Sequence, residues 1–161
     1  MKSKIIDLHE LATRSKELRT AGKRIVATNG CFDLLHVGHV RYLAAARLLG
    51  DALVVGLNSD SSVRQLKGNG RPVTNESDRA EVLAALASVD FVTIFREPVA
   101  TEFIAAASPA TYVKGGDYTA ETLNPDEHAL LKTLGAEIQI IPFETGYSTS
   151  RLLQQLRKVD K

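Results

Sequence analysis

Thr28-Asn29-Gly30-Cys31-Phe32-Asp33-Leu34-Leu35-His36-Val37-Gly38-His39 follows a short apolar run, Lys23 to Ala27, and opens a stretch of helical spacing from His36 to Leu49. A buried strand that passes through a polar, glycine-containing turn into a helix is the first half of a parallel βαβ unit. Gly50 ends the helical stretch, and Ala52 to Leu57 follows as a second strand, apolar throughout as a central parallel strand must be.

The same alternation extends in both directions. Ile5 to Thr20 has Ile5, Leu8, Leu11 and Leu18 on one side and predicts an amphipathic helix. Ser61 to Thr74 carries charges and glycines and reads as a mobile loop with a short helix at most. Glu76 to Ser88 predicts a helix capped by Thr74 or Asn75. Phe91 to Phe95 is a third strand, and Pro98 opens a helix to Ala107. Thr111 to Val113, then Glu137 to Pro142, are strands four and five, separated by a helix from Pro125 to Leu134. A last helix spans Ser150 to Val159, capped by Ser148 or Thr149. The expectation is one α/β domain over residues 1–161: an N-terminal helix in 1–22 and a doubly wound, Rossmann-like, five-stranded parallel sheet in 23–160.

Lys plus Arg is 20 and Asp plus Glu is 19, so the net charge is +1. That balance argues against nucleic acid and against an anionic membrane surface as partners. The one cysteine, Cys31, cannot form an intrachain disulfide, and the N-terminus carries no long apolar run. A cytoplasmic enzyme is expected.

Ligands of doubly wound sheets lie at the carboxyl ends of the strands, where strand order reverses. Three polar or glycine-rich segments follow strand ends: Thr28 to His39, Lys114-Gly115-Gly116-Asp117, and Thr145 to Ser150. His36 and His39 project from one side of a first helical turn, where free N–H groups attract anions. Gly38 between them lets a ligand approach the backbone. Two imidazoles there suit a phosphate better than a metal, since no Cys or acidic cluster completes a ligand set. Lys67 and Arg71 flank glycines in Lys67-Gly68-Asn69-Gly70-Arg71, either a solvated loop or a clamp that closes on phosphate. Arg79 follows Glu76-Ser77-Asp78 and either pairs locally with those acids or faces a ligand.

Gly30 to His39 resembles the signature of the cytidylyltransferase-like nucleotidyltransferases. In that superfamily the two histidines bind a nucleoside triphosphate and stabilise the transition state. The resemblance implies these roles for His36 and His39, phosphate clamping by Lys67, and substrate contacts from Asp33, Arg71 and Arg79. It places Asn29, Gly30, Phe32, Gly38, Lys114, Gly115, Gly116, Asp117, Ser148 and Thr149 around the nucleotide. Val54 to Asp60, Leu66-Lys67-Gly68, Arg71-Pro72-Val73, Val113 to Tyr118 and Gly146 to Thr149 occur in order. Together they are similar to the adenylyltransferases of the ADP-heptose pathway. These join heptose 1-phosphate (D-glycero-β-D-manno) to ATP, giving ADP-heptose and pyrophosphate for the lipopolysaccharide core. Mg²⁺ is expected with the ATP and no protein-bound metal. A homodimer is expected, acting apart from any kinase domain. The alternative is a CTP-dependent enzyme for a polyol phosphate such as glycerol 3-phosphate. Phe143 stands where those enzymes carry an arginine, which disfavours it.

Overall fold

Five parallel strands form one sheet in the order β3-β2-β1-β4-β5. They are β1 (Ile25–Gly30), β2 (Ala52–Asn58), β3 (Phe91–Phe95), β4 (Thr111–Gly115) and β5 (Glu137–Ile141). The computed structural model describes residues 4–116, 118, 122–142 and 154. Among these, six helices connect or precede the strands: α1 (Leu8–Thr20), α2 (Val37–Arg47), α3 (Asp60–Lys67), α4 (Glu76–Ala84), α5 (Thr101–Ala107) and α6 (Pro125–Leu134). No helix of the described residues is long and apolar enough to cross a membrane.

The right-handed crossover rule explains the layers. The chain moves from β1 to β2 to β3, so α2 and α4 cover one face, packing Leu43, Ala46 and Leu83 on Val26, Val55 and Leu57. It then returns to the far side of β1, so α5 and α6 cover the other face with α1, around Leu11, Phe103, Ile104 and Leu131. The winding reverses between β1 and β4, whose register pairs Val26 with Thr111 and Ala27 with Tyr112.

Several elements differ from the sequence expectation for identifiable reasons. Ile5 is not helical; it bridges to Val92 beside β3, and Asp7 caps α1 by accepting from Glu10 N–H at 2.7 Å. β1 runs on to Gly30, so Asn29 and Gly30 are strand residues paired with Gly56 and Leu57. Gly50 is not the stop of α2, which ends at Arg47. A Cβ there would sit 2.7 Å from Arg24 O, so Gly50 permits a close approach to the start of β1. The expected loop after β2 begins as an eight-residue helix, α3, capped by Ser59. α5 starts at Thr101, not at Pro98. Its entry is held by the Glu127 carboxylate, which accepts the Ala100 N–H at 2.9 Å.

Candidate active site

A cavity of about 690 Å³ opens at the carboxyl ends of β1, β2 and β4, across the point where strand order reverses. β1 and its following turn contribute Asn29, Gly30, Phe32 and Asp33; β4 contributes Lys114 and Gly115. α2 brings His39 and α3 brings Lys67 to the same space. Eight residues proposed from sequence therefore converge on one cavity.

His36 is the N-cap of α2, in extended conformation, and its side chain does not cap the helix. Its ring stacks on His39 with centroids 3.9 Å apart and planes at 26°. Phe32 meets His39 edge-on at 5.4 Å. Phe32 itself has φ 41, a left-handed conformation that costs energy for a bulky residue. Gly30 makes room for it: a Cβ at Gly30 would lie 3.0 Å from the Phe32 ring.

Burial depresses the His39 pKa to about 4, with smaller contributions from His36 and from the Lys67 ammonium. Burial also lowers the pKa of His36. Both rings are therefore neutral at pH 7, and each has one N–H to donate. Nδ1 of His39 is buried with no hydrogen-bond partner among the described residues.

Asp33 is 5% exposed. Its Oδ1 accepts the N–H groups of Val73 (2.7 Å) and Thr74 (3.2 Å), and Oδ2 lies 2.8 Å from Arg71 Nη1. It ties the segment after α3 to the turn after β1. Arg71 does not line the cavity but rests on Asp33 behind it. Lys67 is the last residue of α3 and not part of a glycine-flanked loop; the glycines follow it, Gly68 at φ 85 and Gly70 at φ 90.

Arg79 corrects both sequence readings. It is 2% exposed and does not line this cavity. Its partner is neither Glu76 nor Asp78 but Asp60, at 2.7 Å. Its remaining donors reach the carbonyls of Thr74, Cys31 and Asn58 at 2.9, 2.5 and 3.0 Å. Those groups belong to three segments, the turn after β1, the β2–α3 junction and the approach to α4, which Arg79 binds together. Gly38 lies in α2 and Gly116, at φ 78, turns the chain after β4; neither lines the cavity. Asp117, Phe143, Ser148, Thr149 and the expected final helix, apart from residue 154, lie outside the described residues.

Lys114 was proposed from the sequence, whereas Glu127 and Tyr42, which also line the cavity, carried no sequence signal. Lys114 Nζ donates to Asn29 Oδ1 at 2.6 Å, lies 3.6 Å from Glu127 Oε2, and sits over the Tyr118 ring at 5.2 Å. Burial lowers the Lys114 pKa, and the Glu127 carboxylate opposes that fall. Glu127 has the appearance of an ordinary first-turn acid beside a helix N-terminus, which conceals it in the sequence. Tyr42 bridges the reversal point by bonding Thr28 Oγ1 at 2.7 Å and donating to Val113 O at 3.1 Å; burial lifts its pKa to about 12.

A cytidylyltransferase-like family profile matches residues 27–155. The chain is 50% identical over 155 residues to the bifunctional protein HldE of Geotalea uraniireducens, covering 96% of this chain and 31% of that protein. It is 45% identical over 153 residues to the bifunctional protein HldE of a Nitratiruptor species, covering 95% of this chain and 32% of that protein. The chain thus spans about a third of the length of these relatives. The lipopolysaccharide core biosynthesis protein from Thermoplasma volcanium superposes with TM-score 0.62 at 29% identity, over 79% of this chain and 100% of that one. A pantoate–β-alanine ligase from Francisella tularensis superposes with TM-score 0.60 over 91% of this chain and 68% of that one; at 14% identity it shows shared fold alone.

Proposed function

The chain belongs to the cytidylyltransferase-like family, and from that premise we propose that it is an adenylyltransferase making ADP-heptose and pyrophosphate from ATP and heptose 1-phosphate. The observation that carries the reading is that His39, with His36 stacked on it, and Lys67 reach one cavity at the reversal point. The half-identity to HldE proteins along nearly the whole chain supports the choice of substrates.

In the reaction a phosphate oxygen of the sugar phosphate attacks the α-phosphorus of ATP, and the bond to the bridging oxygen of the β-phosphate breaks. The nucleophile is already an anion, so no general base is required. Catalysis then consists of placement and neutralisation of charge on the α-phosphate and on the departing pyrophosphate. His39 and His36 donate N–H groups to those oxygens. Lys67 supplies a positive charge from the end of α3. Asn29 and Gly30 form the floor, and Ser148 and Thr149 are proposed to hold phosphate from beyond β5.

No group of three or more His, Cys, Asp or Glu among the described residues could hold a metal. Mg²⁺ is proposed to enter on the triphosphate, where it would offset phosphate charge. Action in the cytoplasm and assembly as a homodimer are part of the same proposal.

The test is pyrophosphate release with Mg²⁺, comparing ATP with CTP over a panel of phosphorylated acceptors that includes heptose 1-phosphate and glycerol 3-phosphate. Turnover with ATP and heptose 1-phosphate is expected. Preference for CTP with glycerol 3-phosphate would overturn the substrates and leave the reaction class intact.

A further inference from the structure

The cavity opens at a fork in the sheet. Pairing of β1 with β2 runs from Ile25 and Ala52 to Gly30 and Leu57. Pairing of β4 with β5 runs from Thr111 and Glu137 to Gly115 and Ile141. Between β1 and β4 the register covers only Val26 with Thr111 and Ala27 with Tyr112. Thr28 to Gly30 and Val113 to Gly115 keep their outer neighbours, with no register between them among the described residues. Asn29, Gly30, Lys114 and Gly115 line the cavity from the two prongs.

Side chains brace this fork from both faces of the sheet. On the face covered by α5 and α6, Asn29 Oδ1 accepts from Tyr112 OH and Lys114 Nζ, each at 2.6 Å. On the face covered by α2, Tyr42 OH stands at the first unpaired step. It bonds Thr28 Oγ1 at 2.7 Å and donates to Val113 O at 3.1 Å. A phenol has one proton, so Thr28 Oγ1 is the donor in the other bond. Thr28 and Tyr42 are both buried. Burial holds the phenol near pKa 12, so it keeps its proton at neutral pH.

Packing requires only the ring of Tyr42, which sits in the apolar layer with Leu43, Ala46 and Val113. The hydroxyl adds a tie that packing does not supply. Tyr42 follows His39 by three residues, so the two side chains share one side of α2, and both line the cavity. The bonds to Thr28 and Val113 fix that side of the helix against β1 and β4 together. Resting on the nucleotidyl-transfer reading above, we propose that Tyr42 is a positioning residue. Its hydroxyl holds the His36–His39 end of α2 in place against the end of β4, on the proposed nucleotide wall. Loosening that tie moves the imidazole donors off the α-phosphate as charge develops there. The contacts of β4 with the nucleotide stay, so the loss falls on kcat and not on KM.

Steady-state pyrophosphate release by the full chain tests this, with the triphosphate and acceptor that the wild type turns over best. Assays run well below the melting transition of every variant. Tyr42→Phe keeps the ring and removes the hydroxyl. The expected result is kcat lowered about 10–100-fold with KM for the triphosphate within about threefold. Thr28→Val should also lower kcat, and Thr28→Ser, which keeps the hydroxyl, should return it to within about threefold of wild type. The double variant Tyr42→Phe/Thr28→Val should lose no more than Tyr42→Phe alone, because one bonded unit is removed in both. A folded Tyr42→Phe with kcat within about threefold of wild type overturns the proposal, whatever its melting temperature. A rise in KM as large as the fall in kcat also overturns it, since the hydroxyl would then serve binding. Should Tyr42→Phe not fold, the Thr28 variants decide. Loss in Thr28→Val with recovery in Thr28→Ser supports the proposal, and equal turnover of the two overturns it. A wild type that transfers no nucleotide to any acceptor overturns this inference and the proposed function together. Wild-type turnover left intact by Tyr42→Phe overturns this inference alone.

Discussion

His39 shows how one residue can be legible in type and opaque in state. The spacing of His36, Gly38 and His39 at the start of a helix predicts a phosphate site. It leaves the charge of the rings open, because a helix N-terminus disfavours imidazolium and a triphosphate favours it. Burial beneath Phe32 and the stack on His36 settle the matter for the free protein, with His39 held near pKa 4. A pKa below the ordinary 6.5 means that the folded chain binds fewer protons than the unfolded chain between these values. The stability contributed by neutral His39 is complete above about pH 6.5 and is lost as pH falls toward 4. Triphosphate binding acts in the opposite direction and raises the pKa. ATP binding between about pH 5 and 6 is therefore expected to take up protons, measured as a dependence of binding heat on buffer ionisation enthalpy. His39→Ala should remove most of that uptake and lower turnover by at least about 10²-fold. Binding without proton uptake would refute the neutral starting state.

At the scale of elements, α3 and α4 meet the sheet through a polar joint. Glu76 at the start of α4 accepts the Asp60 N–H at 2.7 Å, and Arg79 one turn later binds Asp60 and carbonyls from β2 and the turn after β1. α3 ends in Lys67, so this joint sets where Lys67, the proposed phosphate clamp, stands. Replacing Arg79 with Leu leaves those acceptors without donors in a buried place. The expected cost is about 3 kcal/mol, read from the denaturant midpoint at unchanged slope, together with a raised KM for ATP. A shift below about 1 kcal/mol would show that the joint is not structural. Sequence could not locate this partner, since Asp60 and Arg79 lie on different helices and nearer acids offered helical spacing. The place of Lys67 at the cavity was legible by resemblance. Its seat on a helix was not, because the glycines that follow it masked the capped turn begun by Ser59.

The whole molecule is a sheet covered by two helical layers, and the cavity exists because the layers diverge at the strand ends. Gly56 shows how closely they meet elsewhere: a Cβ there would lie 2.7 Å from the Phe103 ring of α5. Gly56→Ala should cost about 1–3 kcal/mol by overpacking, with turnover per folded molecule retained; a calorimetric melt with an activity titration checks both. Loss of turnover at full folding would instead couple this contact to the site. The periodic apolar pattern alone determined the alternation of strands and helices, because burial on both faces of a parallel sheet leaves few other residue choices. The strand–turn–helix stretch from Thr28 to His39 located the cavity, because local geometry places a helix N-terminus at a strand end. Only tertiary structure decided that Arg79 is structural, that His39 is neutral, and that Glu127 and Tyr118 join the cavity. Each of these depends on partners distant in the chain, and burial and charge pairing are properties of the packed molecule that no local window of sequence contains.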